Sequence, residues 1–202
     1  MIVQPNSRID VQPVVLEGEH VRLEPLEACH LDGIIAAGAD EAIWQWMPVM
    51  PRTHEEYEHW IAQAFAQRAA GTQLPFATIE RATGNVIGST RLLGISAQDS
   101  RVEIGWTWLT PRTQRSPVNT ECKLLLLRHC FESLGCMRVE LKTDARNTKS
   151  RNAILRIGAT EEGTFRKHQR TQHGVQRDTV WYSILFDEWP AAKQRLEEML
   201  AR

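Results

Sequence analysis

With 202 residues, 42% of them apolar, the chain is long enough to bury one sizeable core, and a single domain is expected. No apolar run approaches the roughly 20 residues that span a bilayer, and the opening MIVQPNSRID lacks the apolar stretch of a signal peptide, so a cytoplasmic location with no membrane partner is expected. The formal net charge of −1 conceals 12 acidic against 4 basic residues over 1–80 and 13 basic against 6 acidic over 112–170, an acidic half suited to a cationic acceptor and a basic stretch that can attract a polyanion.

Residues 1–15 carry two prolines and little periodicity and read as a loose arm ahead of a domain over 16–202. Residues 20–26 alternate apolar and polar side chains, as a half-buried strand does, and a helix follows over 29–39. A second helix over 53–70 aligns Tyr57, Trp60, Ile61, Ala64 and Phe65 in one apolar stripe. On it His54 and His59 stand five apart, about 140° around the helix, which suits a solvated face and not a metal pair. Strands over 75–81 and 86–93 meet through Ala82-Thr83-Gly84-Asn85, and a third covers 102–109. Residues 110–118 are polar, basic and interrupted by Pro111 and Pro117, so a loop is expected there. The next helix, over 119–134, takes Asn119 or Thr120 as its cap and Glu121 as the complement of its first turn, and Gly135 stops it.

A strand over 137–143 leads to a helix capped by Asn147 and ended by Gly158. Strands over 159–168 and 179–185 join through His173-Gly174, before a closing helix that starts at Asp187 or Glu188. Cys29, Cys122, Cys130 and Cys136 form no CxxC pair and no zinc spacing with histidine, so they read as reduced thiols, mostly buried, and no metal is expected. Antiparallel strands followed by a strand–loop–helix–strand unit predict an α/β (mixed α+β) single domain around one central sheet.

The chemistry concentrates at 112–120. A cationic loop between a strand end and a helix N-terminus is a ready anion site, because the first helical N–H groups have no intrahelical partner.

In family order, Glu103-Ile104-Gly105-Trp106, Asn119-Thr120-Glu121, Phe131-Glu132-Ser133-Leu134-Gly135, Asn147-Thr148-Lys149-Ser150, Ile157-Gly158-Ala159, Glu162-Gly163 and Asp187-Glu188-Trp189-Pro190 resemble the GNAT acetyltransferases, nearest the RimJ/RimL-like branch that acetylates ribosomal-protein N-termini. The resemblance implies a central, mostly antiparallel, seven-stranded sheet flanked by helices, and acetyl transfer from acetyl-CoA to an amine acceptor, a small molecule or a peptide N-terminus. No metal or nucleic-acid partner is implied, and a homodimer is an assembly frequent in that family.

By the same resemblance Arg112, Gln114, Arg115, Val118, Asn119 and Thr120 belong to the loop and helix start that cradle the coenzyme A pyrophosphate. Trp108 and Leu109 would meet the pantetheine arm through their backbones, and Asn147 and Ser150 would lie near the thioester. Where the family writes two loop glycines this chain has Arg115 and Pro117; Pro117 has no N–H, and the Cβ of Arg115 disfavours positive φ. Side-chain cations can compensate by pairing with phosphate oxygens; the alternative is a CoA-binding or regulatory module without catalysis.

Attack on a thioester needs a neutral amine, donors for the oxyanion and a proton for the thiolate. Glu103, on the strand before the loop, matches the place where several GNAT enzymes keep a glutamate base, and the alternation turns it away from its apolar neighbours. Ser150 precedes Ala153, Ile154 and Ile157 by three, four and seven residues and so shares the inward helix face. The tyrosine acid of many GNAT enzymes is absent, with Ile154 in its place. His168 is a third candidate; a glutamate of the RimL-like branch aligns with Gln169. Trp46 and Met47, beside Pro48 and Pro51, are expected to wall the acceptor pocket.

Overall fold

A computed structural model describes residues 8–202, and the first seven residues of the arm expected over 1–15 lie outside them. Ile9 is buried, and its N–H donates to the Ala97 carbonyl at 3.2 Å. Eight strands form one sheet: β1 Leu16–Glu17, β2 Val21–Pro25, β3 Gln73–Glu80, β4 Val86–Ser96, β5 Arg101–Leu109, β6 Arg138–Asp144, β7 Thr160–Arg170 and β8 Gln176–Leu185, in the order β1-β2-β3-β4-β5-β6-β8-β7. Every neighbouring pair is antiparallel except β5–β6. The count corrects the expected seven. The additional strand is β1, two residues paired with Leu23 and Arg22, too short for an alternation to register.

Helices cover the two faces. α1 (Leu31–Ala37) and α2 (His54–Ala69) pack on β4 and β3, and their side of the sheet holds a cluster of Leu26, Ile34, Trp44, Tyr57, Trp60, Ala77, Ile79 and Trp108. The expected stripe on α2 is buried except for Phe65, which is half-buried, and Thr53 and Glu56 close a capping box at its start. Of the helix expected over 29–39, only Leu31–Ala37 is α-helical, after a 3₁₀ turn over Ala28–His30.

On the other face lie α3 (Pro117–Arg128), α4 (Thr148–Arg156) and α5 (Trp189–Leu200), with Leu126, Leu127, Phe131, Val139, Leu141, Tyr182 and Ile184 in the larger core. α3 starts before the expected residues. Ser116 is its cap, accepting from the Val118 N–H at 3.3 Å, and Pro117 is its first residue, where a missing N–H costs nothing. A π-helical turn over His129–Leu134 continues it, and Gly135 ends it at φ 72°, in the left-handed region that glycine adopts freely.

Lys123 lies in this core. Its Nζ donates to Thr107 Oγ1 at 3.0 Å, the residue is 7% exposed, and no carboxylate pairs with it among the described residues. Burial lowers its pKa to about 8. A lysine whose folded pKa lies below its unfolded value destabilises the fold fully at pH below that folded value, and the penalty fades as pH rises from about 8 towards the unfolded value. Lys123→Met is therefore expected to raise stability at pH 7 by on the order of 2–3 kcal/mol. The gain over the parent should shrink between pH 7 and 9 in urea unfolding, and a pH-independent difference would contradict this assignment.

β5 and β6 run parallel but pair only at Arg101↔Arg138, Val102↔Val139 and Glu103↔Glu140. Beyond Glu103 the strands part. Trp106 takes φ 52° where the β4–β5 register slips between Ser89 and Arg91, a bulge that bends β5 away from its neighbour. The two facing edges, 104–109 and 141–144, form a wedge whose backbone donors and acceptors are not used by a β5–β6 ladder.

Candidate active site

The loop after β5 closes one arm of the wedge. A 3₁₀ turn over Pro111–Thr113 ties the Thr113 and Gln114 amides to the carbonyls of Thr110 and Pro111. Arg115 follows in the left-handed region at φ 63°, exposed, with neither its amide nor its guanidinium paired among the described residues. The residue standing in for the family glycine thus adopts the glycine conformation, although its Cβ costs about 1–2 kcal/mol there. Arg112 is committed elsewhere: both Nη atoms donate to Glu80, at 2.9 and 2.8 Å.

Of the first-turn residues Val118 and Thr120 are buried, Asn119 is half-buried, and the Thr120 hydroxyl accepts from Arg156 at 2.9 Å. Gln114 spans the mouth of the wedge. Its Nε2 donates to the Leu109 carbonyl at 3.0 Å, and its Oε1 accepts from Lys149 at the start of α4. The Trp108 indole is buried against Trp44 and Trp60, its backbone pairs with Ser89 of β4, and the carbonyl that faces the wedge is that of Leu109.

The other arm ends at α4. Asn147 caps it as expected, its Oδ1 accepting from the Ser150 amide at 3.0 Å. Ser150 is half-buried, and its hydroxyl makes no hydrogen bond among the described residues.

Strand alternation builds a polar face on β5, β6 and β8 opposite the core. Val102, Ile104, Val139, Leu141, Val180, Tyr182 and Ile184 point into the core, while Glu103, Glu140, Lys142, Asp144, Arg177, Thr179 and Trp181 point away from it. Glu103 is only 4% exposed, at the apex of the wedge, and its carboxylate accepts from Lys142 Nζ at 2.7 Å. Turning away from apolar neighbours has not turned it to solvent. Burial pushes its carboxyl above the ordinary range, against the pull of Lys142. Lys142 also lies 4.7 Å from the centroid of the Trp181 ring. Asp144 is held by Arg146 through two bonds, at 2.9 and 2.7 Å, and Arg146 reaches across to the Trp46 ring at 5.4 Å.

His168 stands on β7 where its register slips between Phe165 and Gln169, with Nδ1 3.2 Å from Thr179 Oγ1 and its ring 6.0 Å from Trp181. Burial, then the charges of Lys142 and Arg177, lower its pKa, which favours the neutral imidazole. It lines a cleft of about 690 Å³ with Phe165, Arg166 and Lys167. The tip of the β7–β8 hairpin folds back on the N-terminal half, Gln172 donating to the Trp44 carbonyl at 3.0 Å. Trp46 and Met47 are half-buried beside it, Met47 against the cluster around Trp44.

The fold therefore brings Glu103, His168 and Trp46 to one face through Lys142, Trp181 and Arg146. It gathers Leu109, Gln114, Arg115 and Asn147 around the mouth of the wedge, and it turns Arg112 away. Lys142, Trp181 and Arg177 are absent from the expectations drawn on sequence, although Arg138-Val139-Glu140-Leu141-Lys142-Thr143-Asp144 alternates without a break. Cys122, Cys130 and Cys136 are buried, Cys29 is exposed, and no cluster of three metal-ligating side chains occurs among the described residues. No helix among them is long and apolar enough to cross a membrane.

Residues 20–160 match the family model of the acetyltransferase (GNAT) domain. YdaF of Bacillus subtilis, named as a candidate ribosomal N-acetyltransferase, is 31% identical over 110 residues, which is 54% of this chain and 59% of that protein's length. A GCN5-related N-acetyltransferase from Brucella melitensis superposes with a TM-score of 0.90 at 36% identity, over 96% of this chain and 88% of its own. Mycobacterium smegmatis RimJ, solved in complex with CoA-disulfide, shares the fold with a TM-score of 0.80 at 20% identity, over 93% of this chain and 95% of its own.

Proposed function

This chain belongs to the GNAT acetyltransferases, and on that premise we propose that it moves an acetyl group from acetyl-CoA to a primary amine by direct attack in a ternary complex. One observation carries the reading. The β5–β6 ladder stops after three pairs and leaves two strand edges facing a gap, at the carboxyl ends of adjacent parallel strands. An extended chain bearing amides can pair with such edges as an added strand does, and the pantetheine arm of coenzyme A is such a chain.

The residues present fit that co-substrate. The unpaired Arg115 amide, the Arg115 guanidinium and the first turn of α3 would hold the diphosphate. The carbonyl of Leu109 becomes available when the Gln114 side chain swings away. Acetyl-CoA supplies an activated acyl carbon. Glu103, through water, takes a proton from the attacking amine as the C–N bond forms; the C–S bond then breaks, and the Ser150 hydroxyl donates to the leaving sulfur, which is protonated from solvent. Lys142 holds the Glu103 carboxylate and opposes the rise that burial imposes on its pKa. Trp46, Met47 and His168 wall the acceptor side.

Arg115→Gly separates the two sources of diphosphate affinity, because glycine keeps the left-handed backbone and removes the charge. Titration calorimetry with acetyl-CoA should show binding to the parent and about fivefold to tenfold weaker binding to the variant, a gap that narrows in 0.5 M salt. The melting temperature of the variant should not fall. Absence of binding to the parent would remove the reading, and equal affinities would show that the guanidinium takes no part.

A further inference from the structure

Arg177 is the second residue of β8 and sits on the polar face with Thr179 and Trp181. It is 9% exposed, yet its guanidinium makes no hydrogen bond or ion pair among the described residues, and its Nε is sealed from solvent. A buried guanidinium without a partner is unfavourable, so a protein that keeps one has a use for its charge.

The surrounding carboxylates make no contact with it. Glu103 is taken by Lys142 at 2.7 Å, Asp144 by Arg146 at 2.9 and 2.7 Å, and Asp178 accepts from the Lys167 amide at 2.7 Å. The charge of Arg177 is felt by Glu103, Asp144 and His168 without contact with any of them. Arg91, another buried guanidinium, is occupied differently, lying 4.8 and 4.5 Å from the ring centroids of Trp60 and Trp106 and bonding Gln73 at 3.0 Å. Glu140, on the same face, is taken by Arg138 at 2.9 Å and Arg101 at 3.4 Å, so around the apex of the wedge the cations Lys142, Arg146 and Arg177 face the carboxylates Glu103 and Asp144, and the cation without a contact is Arg177. His168 lies beside it, one residue from Gln169, the register partner of Arg177, and 3.2 Å from Thr179 Oγ1 on the same face.

We propose that Arg177 binds a carboxylate of the acceptor, so that the substrate is an amine carrying a carboxylate a few bonds from its nitrogen. The inference rests on the acetyltransferase reading and narrows its acceptor class. A guanidinium fork matches a carboxylate through two parallel N–H···O bonds, which orients the acceptor as well as holding it. The amine is then left to reach the carboxylate of Glu103. A carboxamide in the same place offers one acceptor and turns N–H groups towards a cation, so it is rejected.

The test is steady-state acetylation of the twenty free amino acids, the same compounds as carboxamides, and hexapeptides with alanine or glutamate in second position, by the parent, Arg177→Gln and Arg177→Lys. The parent should favour acids over carboxamides in kcat/KM by at least roughly thirtyfold. Arg177→Gln should bring the ratio to within about threefold of unity by losing rate on the acids alone, and Arg177→Lys should restore part of it. Calorimetric affinity for acetyl-CoA should be the same in all three. Preference for the glutamate hexapeptide over free amino acids would assign the carboxylate to an acidic peptide N-terminus, and the reverse to an amino acid. Transfer to carboxamides as fast as to acids, or equal losses on both in Arg177→Gln, would overturn the inference and leave the acetyltransferase reading standing. No transfer to any amine would remove both.

Discussion

Glu103→Gln is expected to lower kcat by roughly 10²- to 10³-fold with little change in affinity for acetyl-CoA. The amide keeps the shape of the carboxylate and an oxygen for the Lys142 ammonium, which donates at 2.7 Å, so the variant should remain folded. What it loses is basicity. Burial raises the Glu103 carboxyl above its ordinary value while Lys142 opposes the rise, which brings a carboxylate closer to the pH at which it works as a base. Deprotonation is needed for activity, so kcat/KM in the parent should fall as pH drops through that raised value. In Glu103→Gln this acidic limb should vanish from the profile. A variant that keeps both the limb and most of its rate would make Glu103 a structural partner of Lys142.

Glu121→Ala is expected to destabilise the protein by roughly 3–5 kcal/mol, read as a lower urea midpoint at unchanged slope. Its carboxylate accepts three backbone N–H groups from the turn between β1 and β2: Glu19 at 2.7 Å, His20 at 2.7 Å and Val21 at 2.8 Å. Truncation leaves those donors unsatisfied, that of Val21 fully buried. Gly18 completes the fit, since a Cβ there would lie 2.3 Å from the Glu121 Cδ. Glu121→Gln should cost about half as much, because one oxygen can still receive two of the donors while the amide N–H₂ confronts the third. A loss below about 1 kcal/mol in Glu121→Ala would show that the turn holds without this clasp.

Glu121 also marks where local reading stops. In sequence it follows Asn119-Thr120 and suits the first turn of a helix; in the fold its partners lie about a hundred residues away, and no local pattern encodes such a contact. The features legible in sequence are those settled by near neighbours: Asn147 capping α4, Gly135 ending its helix at positive φ, the hairpin tip at His173-Gly174 and the buried stripe of α2.

The start of α3 had a local signal that two prolines obscured. Ser116 followed by Pro117 is a cap and a first helical residue, yet a proline in a polar stretch reads equally as a loop. The polar face is an intermediate case. Alternation in β6 shows that Glu140, Lys142 and Asp144 share a side, but whether that side meets water or builds a site depends on β5 and β8 lying beside it. Arg177 and Lys142 become visible only when the strand order is known, and so does the commitment of Arg112 to Glu80.

The most direct test mixes the protein with acetyl-CoA and a panel of primary amines, and follows free thiol and acetylated amine together by mass spectrometry. Amine-dependent release of coenzyme A, matched mole for mole by the acetylated amine and with no acetyl left on the protein, is the predicted result. Acetyl-CoA that binds and stays intact with every amine, or an acetyl group that accumulates on the chain before reaching the amine, would contradict transfer by direct attack at the β5–β6 wedge.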